Sequence, residues 1–436
     1  MDFSRSNELR QRAHELIPGG SHTYAKGDDQ FPARSPGFIV RGKGCRAWDA
    51  DGNEFVEYGM GLRSVLLGHA YSPVVEAVRE QIELGANFTR PATIEVEAAE
   101  ALLSVVHGMD MVKFTKDGST ANTAAITLAR AATGRDRVAI CGDHPFFSYD
   151  GWFIGTTPMK AGIPEAVREL VSTFRYNDIA SLEALFEQHP GEIACVLLEP
   201  SRGEDPEGDF LHEARRVCHA HGAVFILDEC ITGFRWHVGG AQRYYGIVPD
   251  LTTFGKALGN GFAVSALAGK RELMELGGIR TDRERVFLLS TTHGGETHAL
   301  AAAIACLKVY EEEPVAEHLD RVGRLMIDGF NGLVAQHGLE DYVGIHGKPC
   351  NLVFSTRDLA GQPSQAFRTL FLQELIARGV IAPSLVLSYS HGDREVAHTL
   401  EALDGALAIY ERAVDAEDPL RFLEGPPSKV VFRKFA

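Results

Sequence analysis

The sequence predicts an α/β protein, with a large domain of mostly parallel sheet between helices and a smaller α+β domain at the C-terminal end. Three observations carry that expectation. Continuous apolar runs such as Ile193–Leu198 (IACVLL) recur through the middle of the chain, as in strands buried on both faces. Helix-like stretches separate these runs, which is the pattern of parallel pairing. After Glu311–Pro314 (EEEP) the texture changes to longer helices with few strands.

The elements follow in order. The first 60 residues hold a charged helix, a Gly/Pro-rich loop (PGGSHTYAKGDDQFP) and a hairpin through Phe38–Asp49. Residues 61–310 form the large domain. Within it Met111–Thr115 (MVKFT) precedes a helix over Ala121–Ala132, and Val138–Cys141, Ile193–Leu198 and Ala223–Leu227 follow as strands, with Leu211–His221 helical. Residues 311–436 form the small domain, with helices at 315–337, 364–379 and 393–414 and short strands near Asn351–Ser355 and Val380–Ala382.

Composition narrows the function classes. Apolar residues make up 45% and charged residues 23% of the 436, which excludes disordered and collagen-like chains. A net charge of −16 disfavours nucleic acid or an anionic membrane as the main partner. Seven cysteines without a C-x-x-C pair point to reduced thiols in a cytoplasmic enzyme rather than a disulfide scaffold or a zinc ribbon. The apolar run Ala299–Leu307 is far short of the ~20 residues of a membrane span. No metal site is expected.

Three strand ends then supply three chemical groups. Asp228 follows the strand of AVFILDECITGFR and emerges at the ligand-binding edge of such a sheet; alone it reads first as a helix cap. Lys256 lies between glycines in TFGKALGNGF, and alone it reads first as a surface lysine. Asp117-Gly118-Ser119-Thr120 opens the helix after MVKFT with free N–H groups and hydroxyls, which suits a phosphate as well as an ordinary cap. Together they are the parts that pyridoxal 5'-phosphate requires: an amine for a Schiff base, a carboxylate for the pyridinium nitrogen and a phosphate cup. A Schiff-base aldolase would need neither Asp228 nor the cup.

With DECITGFR followed by FGKALGNG, the sequence resembles the class III (subgroup II) pyridoxal-phosphate aminotransferases, and most of all their glutamate-1-semialdehyde 2,1-aminomutase-like members. The likeness extends through SRSNELRQRAHELIPGG, WDADGNEFVEYGMGLRSVLLGHAYSPVVEAV, GSTANTAAITLARAATGR, LLEP and IAPS. It implies fold type I and a homodimer with active sites shared between subunits. It also implies Lys256 as the Schiff-base lysine, Asp228 at the pyridine nitrogen, and Gly118 and Ser119 at the phosphate. Cys230 takes the place of a valine under the ring, Glu199 of LLEP lies near the cofactor, and Thr292 reaches the phosphate of the neighbouring subunit. The ring-stacking group falls in His144-Pro145-Phe146-Phe147, with His144 first by register and Phe146 second.

Two departures bear on substrate. Lys26 stands where the aminomutase has an arginine for the substrate carboxylate, and lysine cannot form the bidentate fork. The late segment APSLVLSYSH lacks the aminomutase's glutamate. These changes favour a two-step aminotransferase with an amino-acid donor such as glutamate and a separate aldehyde or ketone acceptor. The polar loop with His22, Tyr24, Lys26, Asp28 and Asp29 suggests a hydroxylated, sugar-like acceptor. The alternatives are an aminomutase and a non-catalytic pyridoxal-phosphate-binding protein.

Overall fold

The computed structural model describes residues 1–201 and 203–435. Thirteen strands occur among them. The first three, β1 (Ile39–Lys43), β2 (Arg46–Asp49) and β3 (Glu54–Glu57), lie before the central sheet in the chain. The central seven are β4 (Met111–Thr115), β5 (Arg137–Cys141), β6 (Val171–Phe174), β7 (Ile193–Leu198), β8 (Val224–Asp228), β9 (Leu251–Phe254) and β10 (Ser265–Gly269). Three short ones close the series: β11 (Val343–His346), β12 (Val353–Thr356) and β13 (Val380–Ile381).

The chain divides into two compact units. The larger comprises Arg63–Val65 and Ser72–Ala316, with a short C-terminal piece. Its sheet runs in the order β4-β10-β9-β8-β7-β5-β6, and only β10 is antiparallel to its neighbours. All six residues of β7 and all five of β8 are buried, as their uninterrupted apolar pattern requires. The helix Gly118–Thr133 packs across β4 and β7–β10. It starts where the Asp117 carboxylate accepts the Thr120 N–H (2.8 Å) and stops at Gly134, which takes φ +68° and returns its N–H to the Arg130 carbonyl. Ala121, Ala124, Ala125, Leu128 and Ala129 bury one face of it, and these small side chains let the helix lie close to the sheet.

The smaller unit gathers Met1–Leu62, Leu66–Tyr71 and Glu317–Arg433. Its sheet has the order β1-β2-β3-β13, with β13 parallel to β3. Phe3, Phe55, Ile376 and Ile381 form one core cluster, so the two ends of the chain fold together. The helices Val315–Gln336, Gln365–Ala377 and Asp393–Asp415 complete the unit. Val396, Thr399, Leu403, Leu407 and Tyr410 are buried at helical spacing along the last of these.

Candidate active site

Parallel strands aim their carboxyl ends at one edge of the sheet, and there the larger unit has a cavity of about 300 Å³. Its lining includes Lys116, Gly118, Ser119, Phe146, Phe147, Asp228, Cys230, Lys256 and Ser265. Each polar group arrives by a separate strand. β4 delivers Lys116 to Ser119, β8 ends on Asp228, and β9 leads through Gly255 to Lys256. Lys256 holds φ +45°, a left-handed conformation that a lysine adopts only where its surroundings fix it.

Asp228 is buried and firmly held. Its Oδ1 accepts the Cys230 N–H (2.8 Å), and its Oδ2 accepts the Asn122 amide (2.8 Å). Asn122 also donates to the Phe147 carbonyl and accepts the Thr253 hydroxyl, so helix, loop and strand share one network. Burial pushes the Asp228 carboxyl above its ordinary range; the Glu199 charge adds to this and the Lys256 charge opposes it. A cation placed against Asp228 would relieve that cost.

At the start of the helix Gly118–Thr133, the N–H groups of Gly118 and Ser119 precede the first helical bonds. The Ser119 Oγ accepts the Tyr149 N–H (3.2 Å) and keeps its own proton to donate. The cradle is tight. A Cβ on Gly118 would fall 2.5 Å from Cys230 Sγ, and one on Gly255 would fall 2.6 Å from Ser265 Oγ. Burial, with the Asp228 charge, pushes the Cys230 thiol well up, so this wall stays neutral.

The remaining sequence-selected residues divide between the cavity lining and its surroundings. Phe146 and Phe147 line it; His144 does not, and its Nδ1 instead accepts the Glu199 N–H (3.1 Å) while its ring packs on Tyr176. Glu199 is buried at the end of β7. Thr292 is exposed, with its carbonyl held by Asn87 (2.9 Å). Asn122, Thr253 and Lys116 are members that sequence reasoning passed over. Asn122 was visible only as one amide on an alanine-rich helix face, four residues after Gly118.

The residues present fit pyridoxal phosphate. A helix N-terminus with a free hydroxyl proton suits the phosphate, a buried carboxylate suits the ring nitrogen, and an amine shares the same lining. Among the described residues no group of side chains is suited to a metal ion, and no helix is long and apolar enough to cross a membrane.

Comparison with known proteins agrees with this geometry. Residues 24–348 match the family described as Aminotransferase class-III. A glutamate-1-semialdehyde 2,1-aminomutase of Sulfurihydrogenibium azorense is 32% identical, over 92% of this chain and 98% of that protein. Among solved structures, the pyridoxal-phosphate form of the FumI protein of Sphingopyxis sp. MTA144 superposes with a TM-score of 0.87 at 30% identity, over 95% of this chain and 99% of that one. An omega-transaminase of Sphaerobacter thermophilus gives a TM-score of 0.83 at 28% identity, over 93% and 98% of the two chains. The chain therefore belongs to the class-III aminotransferases, enzymes of fold type I that work with pyridoxal phosphate.

Proposed function

We propose that the protein moves an amino group from an amino-acid donor, with glutamate as first candidate, to a small aldehyde or ketone acceptor. The observation that carries this reading is the meeting of Lys256, the buried Asp228 carboxylate and the open helix N-terminus at Gly118 in one cavity. Bound there, pyridoxal phosphate supplies an electron sink for a carbanion at the substrate carbon. Gly118 and Ser119 would hold its phosphate. Asp228 would keep the ring nitrogen protonated, anchored by Asn122 and the Cys230 N–H so that it cannot turn away. Lys256 would anchor the aldehyde and then carry the proton between the carbons that exchange the amino group. Cys230 would pack under the ring, with Phe146 on the cavity wall.

Transfer is preferred to isomerisation because of two departures from the aminomutase pattern, both in the smaller unit's sequence. Leu385, Val386 and Leu387, in the segment where the aminomutase has a glutamate, are wholly buried and present no carboxylate. Of the loop after Pro18-Gly19-Gly20, Asp28 pairs with His14 and Asp29 with Arg433, which leaves His22, Thr23, Tyr24 and Lys26 as its exposed polar side chains. That set suits a hydroxylated acceptor. The aminomutase is the second reading, favoured by relatives of that name at 31–32% identity.

The protein would act as a homodimer in which Thr292 serves the neighbouring site. Ile279 and Phe287, on the chain leading to Thr292, are 84% and 80% exposed, as expected of a face that a second copy covers. Glutamate alone should release 2-oxoglutarate in amounts matching the protein and shift the bound cofactor's absorbance, and an added aldehyde or ketone should reverse the shift. Efficient conversion of glutamate 1-semialdehyde to 5-aminolevulinate without any donor, and no 2-oxo acid from any common amino acid, would favour the aminomutase instead.

A further inference from the structure

Lys116 is a second lysine in the cavity lining, placed between β4 and the phosphate cup. Its amine does not reach into the cavity unaccompanied. It forms an ion pair with Glu296, whose other oxygen meets His293 Nδ1 at 3.2 Å. Glu296 stands at the N-cap position of the helix Thr297–Glu312 without capping it through its side chain, so its carboxylate is committed to Lys116 and His293. Burial would raise the Glu296 carboxyl, but the Lys116 hydrogen bond and charge outweigh it and hold the group below its ordinary range.

The segment that these contacts hold is the one bearing Thr292. Its other ties run to residues 85–87. Asn87 holds the Thr292 carbonyl (2.9 Å), Thr297 donates its hydroxyl to the Gly85 carbonyl (2.7 Å), and the Thr297 N–H meets the Ala86 carbonyl (3.0 Å). These are neutral hydrogen bonds. Lys116 to Glu296 is the charged link, and it ends beside Gly118 and Ser119.

We propose that Lys116 is a positioning residue: through Glu296 it latches the Thr292-bearing segment to the wall of the phosphate cup. The side chain at 116 thus connects the order of residues 291–297 to occupancy of the cup. The second half of the proposal, the link to cofactor retention, rests on the reading given above; the latch itself does not.

Hydrogen exchange in the ligand-free protein tests the latch alone. In Lys116→Met and in Glu296→Gln, amides of 291–297 should exchange about fivefold faster, the scale of a half-buried ion pair. Lys116→Arg should keep wild-type exchange, and the charge-swapped double variant Lys116→Glu/Glu296→Lys should recover most of it. The dissociation constant for pyridoxal phosphate, followed by its absorbance, should rise and recover in the same order. Unchanged exchange in both single variants, or a swapped variant no better than the worse single, would overturn the proposal. Changed exchange with unchanged cofactor affinity would overturn the link to the cup and leave the latch standing. Failure of the wild type to bind the cofactor would strike the site reading and not the exchange result.

Discussion

Asp228 shows how one side chain collects its meaning from its neighbours. The sequence places a carboxylate at the end of an apolar strand, where a cap is the ordinary use of it. In the folded chain it caps nothing. Its oxygens take the Asn122 amide and the Cys230 N–H, and burial drives its carboxyl upward. A buried carboxylate with fixed orientation and an unfavourable charge is suited to pair with a cation. Asp228→Asn keeps size and shape, and its amide oxygen can still accept the Cys230 N–H or the Asn122 amide, so fold and cofactor binding should survive. A neutral amide cannot hold a pyridinium proton, however. Turnover should fall by about 10²-fold or more, because the lost charge acts in the carbanion-forming transition state. Steady-state kinetics beside a cofactor titration checks this, and near wild-type turnover would remove Asp228 from the role. The meeting of Lys256, Asp228, Gly118 and Ser119 at one cavity was legible in sequence because strand ends and glycines mark them. Asn122, Thr253 and Lys116 were not, since an amide, a hydroxyl and a lysine gain their roles only when helix and strands meet. The aromatic position shows the same limit, for the His144 ring accepts the Glu199 N–H while Phe146 and Phe147 are in the lining.

Among elements, the strands that hold the site are tied down at their far ends. Asp250 precedes β9, and its carboxylate takes the Phe225 N–H of β8 (2.9 Å), Lys270 Nζ after β10 (2.6 Å) and His219 Nε2 (2.8 Å). His219, near the end of the helix Phe210–Ala220, is thus part of this clamp. Burial would raise the Asp250 carboxyl, but these bonds outweigh it and hold it below its ordinary value. Ionised Asp250 therefore stabilises the fold above the usual aspartate value of 3.8, and that contribution is lost as pH falls through the depressed value. Asp250→Asn should cost about 1–3 kcal/mol at neutral pH, the scale of buried groups left poorly matched. The deficit should shrink in acid, where the wild type loses the same charge. Denaturant unfolding at both pH values measures it, and an equal deficit at both would mean that packing, not charge, is at stake. The elements themselves were unevenly legible. IACVLL and VFILD announce buried strands, whereas β10 reads SALAG, small residues with no β-branched signature. That strand forms because β4 and β9 flank it, which is a tertiary cause. The parallel pairing of β3 with β13 lies beyond local pattern for the same reason, as the partners are more than 300 residues apart in the 436-residue chain.

For the whole molecule, the decisive matter is whether one chain carries a complete site. The cavity lining contains Lys256 and Asp228 but not Thr292, which is exposed, as are the apolar side chains Ile279 and Phe287 earlier on the same stretch of chain. An exposed threonine on a stretch with exposed apolar side chains would be of use to a site that a second copy completes. Subunit mixing turns this into a measurement. Lys256→Ala homodimers should be inactive because the amine that anchors the aldehyde and moves the proton is gone, and Thr292→Ala homodimers should be clearly impaired. If Thr292 serves its neighbour, a mixed dimer has one site with both defects and one with neither. Activity should therefore reappear on subunit exchange and approach half of the wild-type value per dimer. If Thr292 serves its own chain, every site in the mixed dimer carries one defect and nothing is regained. Mass spectrometry under native conditions verifies that mixed dimers have formed, so the absence of recovery in verified heterodimers would place Thr292 in its own chain's site.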